Sequence, residues 1–208
     1  MDQYAGRTDS KNRYLEANMR RTLSSALLCG ISLTFAAAAG AGSVANQFKA
    51  GAFGVPWNAS KASLEAKYPG GAWDKETNGL DRYCVTSRQT LLKLPAEHKT
   101  QRLCFLIGSD GTVASATAVM TASLPTLLAV VNRSRTTFGD FDAVLRDTSA
   151  IQSRSNSMLW THDLPYLVKV SSTNDADGRP TEVTFTVADE AALFTGGAVK
   201  VSHQPTGG

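Results

Sequence analysis

The cleanest polarity alternation in the chain runs from Glu182 to Val187, where Val183, Phe185 and Val187 interleave with Glu182, Thr184 and Thr186. A period of two predicts a strand with one dry and one wet face. Residues 166–171 form a second strand candidate. The run Asn174-Asp175-Ala176-Asp177-Gly178-Arg179-Pro180 between them has turn composition, so the two predict a hairpin. Upstream, "LCFLIGSDGTVASATAVM" repeats the arrangement. An apolar run at 103–107 stops at Ser109-Asp110-Gly111 and resumes over 113–120, with the glycine supplying a turn's positive φ. The period then changes. Leu124, Leu127, Leu128 and Val131 recur at helical spacing; Ser123 suits the N-cap, Pro125 the first turn and Gly139 the exit. Arg133 and Arg135 in the last turn complement the helix dipole.

Weaker patterns fill in the rest. Residues 53–57 read as a short strand, and Asn58 or Ser60 caps a helix through Lys67, which Pro69-Gly70-Gly71 stops. A loop to about Leu80 precedes a strand at 82–88, and 89–101 suit a further strand and a polar turn. Residues 158–161 add a last strand. The sum predicts an α+β fold, an antiparallel sheet with one or two packed helices. Each half runs short helix, strand, then a hairpin turning at Asp-Gly (Asp110-Gly111 and Asp177-Gly178), which suggests a duplicated helix–strand–hairpin unit.

The longest apolar run lies elsewhere, at residues 23–39, behind Arg20-Arg21 and ahead of two small-x-small exits, Ala39-Gly40-Ala41 and Ser43-Val44-Ala45. Charge, apolar run and small-residue exit in that order predict a signal peptide over 19–45, and with it a periplasmic or secreted bacterial protein. Residues 1–18 read as a non-native upstream extension, 46–195 as one α+β domain, and 196–208 as a flexible glycine-rich tail with a candidate strand at 198–202. No other run is long enough to span a bilayer, so no membrane span is expected after cleavage. Cleavage also resolves the odd cysteine count. Cys29 leaves with the leader, and Cys84 and Cys104 remain as a pair that an oxidising compartment would join.

Composition alters the picture only through what it removes. The chain's net charge of +3 becomes about +1 once the five basic and three acidic residues of the upstream extension and leader go. No basic cluster appears, and nucleic acid is not an expected partner. Nucleotide cradles, G-x-S-x-G and H-E-x-x-H are absent from the sequence, and no cofactor, metal or catalytic residue is assigned. His162-Asp163 is the one suggestive pair, but adjacent strand residues point to opposite faces, so His162 reads as a strand-end surface residue. Asp140 and Asp142 read as a solvated turn pair. Trp57 and Trp160 suit the core, whereas Trp73 beside Gly70-Gly71 is a candidate aromatic contact.

"GVPWNAS" followed by a short helix resembles the opening G-I-P-W-G-x-S of a group of small exported bacterial proteins, with Asn58 in place of their glycine. The resemblance implies an exported α+β domain and assigns no catalytic residue. The expected function is therefore a non-catalytic exported binding module whose partner is another exported protein or a small ligand. Its candidate face carries Lys169, Ser171, Thr184 and Thr186, beside the "NDADGRP" turn. An inhibitor or immunity-type protein is the narrower alternative, and an enzyme with a dispersed site is the third.

Overall fold

The computed structural model describes residues 43–147 and 154–190. The leader through Gly42, including its first exit, and the tail with its candidate strand lie outside the described residues. Helix α1 (Val44–Phe48) is followed by α2 (Lys61–Lys67) and strands β1 (Ala72–Lys75), β2 (Asp81–Thr86), β3 (Thr100–Ile107) and β4 (Val113–Met120). Helix α3 (Leu124–Phe138) leads to β5 (Ala143–Asp147), β6 (Arg154–Trp160), β7 (Tyr166–Asn174) and β8 (Pro180–Asp189). All eight strands join one antiparallel sheet in the order β1-β2-β3-β4-β8-β7-β6-β5. The fold is α+β and dominated by the sheet. No described helix is long and apolar enough to cross a membrane.

Register assigns the two faces. One ladder on the first face runs Tyr83–Phe105–Ala116–Val187–Val168–Trp160, and the next runs Leu103–Ala118–Phe185–Val170–Met158–Val144. The helices lie on this side. Phe48 of α1 meets Phe138 of α3 at 5.9 Å and Phe185 of β8 at 6.4 Å between ring centroids, and Tyr68 after α2 stacks on Phe105 at 5.5 Å. Alanines at 116 and 118 keep the sheet floor low, so that aromatic rings from the helices reach it. Trp160, Phe105, Phe185 and Leu64 are fully buried there.

Several expectations need correction. Residues 53–57 are not a strand but a tight turn, with Phe53 and Gly54 at positive φ (52° and 73°) and a lone bridge between Ala52 and Val55. Residues 89–101 hold no second strand before Thr100. They form a loop with a 3-10 turn at Ala96–His98, and Leu91 and Leu94 are buried from it. Strands β1 and β5 were not expected at all. Helix α3 starts and stops as predicted, with Ser123 Oγ accepting from the Thr126 N–H at 3.2 Å and Gly139 closing it. Its buried face is turned, however: Thr126, Val130, Val131, Ser134 and Phe138 are inward, while Leu124 and Leu128 are 55% and 52% exposed. Thr126 can be buried because its Oγ1 accepts from Ser123 Oγ at 2.8 Å and sits 3.1 Å from His98 Nδ1.

The motif residues at the domain opening have folding roles. Gly54 supplies the turn, Ser60 Oγ caps α2 through the Ser63 N–H at 3.3 Å, and Trp57 stacks on Tyr166 at 5.6 Å. Trp57 Nε1 also donates to the Phe48 carbonyl at 2.7 Å, which ties the segment to α1.

Candidate functional site

The second face of the sheet carries no described helix. Its central ladder runs Cys84–Cys104–Thr117–Thr186–Lys169–Leu159, and the ladder beside it runs Thr86–Arg102–Val119–Thr184–Ser171–Ser157–Leu145. The four residues expected to share a binding face therefore meet as two directly opposed cross-strand pairs, Lys169 with Thr186 and Ser171 with Thr184. Alternation in β7 and β8 produces this. Val168, Val170, Val183 and Phe185 are buried on the helix side, and their neighbours point the other way.

Hydroxyl groups knit the face together. Thr117 and Thr186 lie 3.0 Å apart at their Oγ1 atoms, and Ser157 and Ser171 lie 2.8 Å apart at Oγ. Arg102 and Glu182 form a long ion pair of 3.8 Å at the rim. Lys169 stands between the hydroxyl pairs and Leu159, and no ion pair reaches it among the described residues. Burial lowers the pKa of its ammonium, because a charge half-withdrawn from water is favoured less than the neutral amine. The Sγ atoms of Cys84 and Cys104 lie 2.09 Å apart, so a disulfide joins β2 to β3 on this same face.

Trp73 does not join this surface. It shares the helix side with Tyr83 (4.9 Å between ring centroids), Lys61 lies 5.2 Å over its ring, and its Nε1 donates to Glu65 at 2.7 Å. Its ring and its donor are both engaged within the chain. Trp160 is core, with Nε1 donating to the Gly139 carbonyl at 2.8 Å.

His162 does have a carboxylate partner, though not its neighbour in sequence. Its Nδ1 lies 3.0 Å from Asp142 Oδ2, at the entry to β5, while Asp163 is 3.9 Å from Nε2. Asp142 also accepts from the His162 N–H at 3.0 Å, from Thr161 Oγ1 at 3.2 Å and from the Thr161 N–H. Partial burial raises the Asp142 carboxyl pKa, but the bonds from Thr161 and His162 outweigh it and leave the net value below the ordinary range. Asp140 is held separately by Arg135, with Nε at 2.8 Å, so Asp140 and Asp142 form no carboxylate pair. Asp163 accepts the Val44 N–H at 2.8 Å, an orphan donor at the start of α1. The cluster thus clasps the sheet end to the N-terminal helix. The described contacts give it a structural job, and among the described residues the His162 ring hydrogen-bonds to Asp142.

The link from Asp142 to His162 joins two segments 20 residues apart, and no local pattern signals it. Among the described residues, no group of three or more His, Cys, Asp or Glu side chains is arranged to hold a metal ion. No protein-family model matches the chain, and no curated protein matches it either.

Proposed function

We propose that the protein is a non-catalytic exported binding module that recognises another exported protein through the helix-free face of its sheet. The observation that carries this reading is the meeting of Lys169, Ser171, Thr184 and Thr186 as opposed pairs on a face that no described helix covers. Seven strand spacings of about 4.8 Å across and about 30 Å along the longest strands give a surface on the order of 1,000 Å². That is comparable to the ~800 Å² one partner contributes to a standard protein interface, so the face fits a protein better than a small molecule. The inhibitor-type reading is a special case of the same surface. Export is part of the proposal and rests on the leader pattern and the cysteine pair. So is duplication: a helix followed by a four-strand meander occurs twice, with β4 and β8 paired where the halves meet.

The test is capture of a stoichiometric partner from periplasmic extract by three folded variants. Lys169→Glu with Thr184→Arg reverses the face, Lys169→Met only neutralises it, and His162→Ala alters the clasp. The partner should survive the histidine change and be lost with the reversed face. Retention by the reversed face together with loss through His162→Ala alone would overturn the reading.

A further inference from the structure

The turned face of α3 leaves a groove on the helix side of the sheet, opposite the face proposed above. It encloses about 610 Å³ between Leu124 and Leu127 of α3 and the outer ends of β5, β6 and β7. That volume falls within the range of small-molecule sites, roughly 300–1,000 Å³.

Register orders its lining by polarity. The innermost ladder offers Val144 and Met158, the next offers Arg146, Asn156 and Ser172, and the outermost offers Arg154 and Asn174. Arg146 and Arg154 are diagonal neighbours on adjacent strands, which sets their backbones about 7–8 Å apart. The described lining contains no acid, and no ion pair reaches either arginine among the described residues. Ser172 and Asn174, 2% and 9% exposed, add a hydroxyl and an amide to the lining. Two guanidinium groups with no acid facing them in the described lining, beside an amide and a hydroxyl, are poised for an anionic ligand.

We infer that this groove binds a single-chain amphiphile with an anionic head, the head between Arg146 and Arg154 and the tail along Val144, Met158 and Leu127. Two guanidinium groups on one patch select a planar or tetrahedral anion. The apolar ladder behind them is one step deeper along the strands, and Leu127 closes over it from the helix. A wholly apolar ligand would leave the two arginines without an anion.

Isothermal titration with decanoate below its micellar concentration tests this directly. One decanoate should bind per chain, and decyltrimethylammonium, of equal tail length, should bind at least tenfold more weakly. Arg146→Gln with Arg154→Gln should weaken decanoate by at least tenfold without changing the melting temperature, since both side chains are exposed. Should the double variant melt early, Arg154→Gln alone carries the same test. Lys169→Glu should leave decanoate binding unchanged, which separates this site from the sheet face behind it. Equal binding of the cationic amphiphile, undiminished binding by the arginine variants, or binding only of an acidic peptide would each overturn the proposal, as would no binding of decanoate.

Discussion

Two candidate exits for signal cleavage lie four residues apart, and the fold distinguishes their consequences. A cut after Ala45 removes Ser43 and Val44, whereas a cut after Ala41 keeps both. Val44 is fully buried, Ser43 Oγ caps α1 through the Asn46 N–H at 3.3 Å, and the Val44 N–H reaches Asp163. Losing a buried valine costs about 1.5–3 kcal/mol. Losing the cap costs about 1 kcal/mol, and the hydrogen bond to a half-buried carboxylate about as much again. The sum is about 4 kcal/mol, which for a domain of this size lowers the melting temperature by on the order of 10 °C. Two chains should be compared by urea and thermal denaturation, one beginning at Gly42 and one at Asn46. We expect the Gly42 chain to be the more stable by that margin, and intact mass of the exported protein to show Gly42 at its N-terminus. Stabilities that agree within about 1 kcal/mol would refute the energetic argument, and an exported chain that retains Met19 would refute the leader itself.

Two further outcomes follow from single contacts. The Cys84–Cys104 bridge closes a loop across a sequence separation of 20. Replacing both cysteines by serine should therefore cost about 3 kcal/mol in urea denaturation, and unchanged stability would show that the bridge does not constrain the unfolded chain. Asp142 has its carboxyl pKa below the ordinary value, so its contribution is present above the unfolded pKa of about 3.9 and is lost as pH falls through the lower folded value. Asp142→Asn should cost about 1 kcal/mol at neutral pH, after allowance for its partial exposure, and the difference from the parent should close in acid. A difference that is flat with pH would remove the charge from the explanation.

The parts of this fold that were legible are those whose burial is periodic. Residues 103–120 and 166–187 each place one complete face in the core, so alternation and the Asp-Gly turns announced two hairpins. Strands β1 and β5 are the sheet's edges. Ala72, Asp74 and Lys75 are exposed, as are Val144 and Leu145, so neither strand carries the periodic dry face that reveals a strand. Leu91 and Leu94 misled in the opposite direction, because an apolar pair buried from a loop looks like part of a strand. In α3 the leucines outscored Thr126 and Ser134 on hydrophobicity, but smallness decided the packing. Ser134 is fully buried and lets the helix approach the sheet, and the displaced Leu124 lines the groove together with the half-buried Leu127. The polar sheet face was legible in part, since alternation fixed which side each residue takes. The Asp142–His162 contact was not, because it depends on β5 pairing with β6, and β5 itself left no pattern.

Lys169 is the residue whose placement is hardest to account for by folding alone. Its pKa is lowered in the folded state, so between that value and the unfolded value near 10.4 the unfolded chain binds more protons and stability rises with pH. At neutral pH the charge therefore works against the fold. The hydroxyls around it could line a wet sheet face without it, and an apolar residue opposite Thr186 would fit the strand at least as well. A broad sheet face that no described helix covers does need some charge to keep it from pairing with copies of itself, but exposed residues supply that more cheaply, as Arg102 and Glu182 do at the rim. An ammonium partly withdrawn from water in the middle of the face is different: it already has part of its desolvation behind it, and a partner's carboxylate placed there would gain a charge-assisted bond with little further cost. This is why the neutralising Lys169→Met arm discriminates more sharply than charge reversal. A folded protein that becomes more stable while losing its partner would locate binding energy at a position where stability is given up.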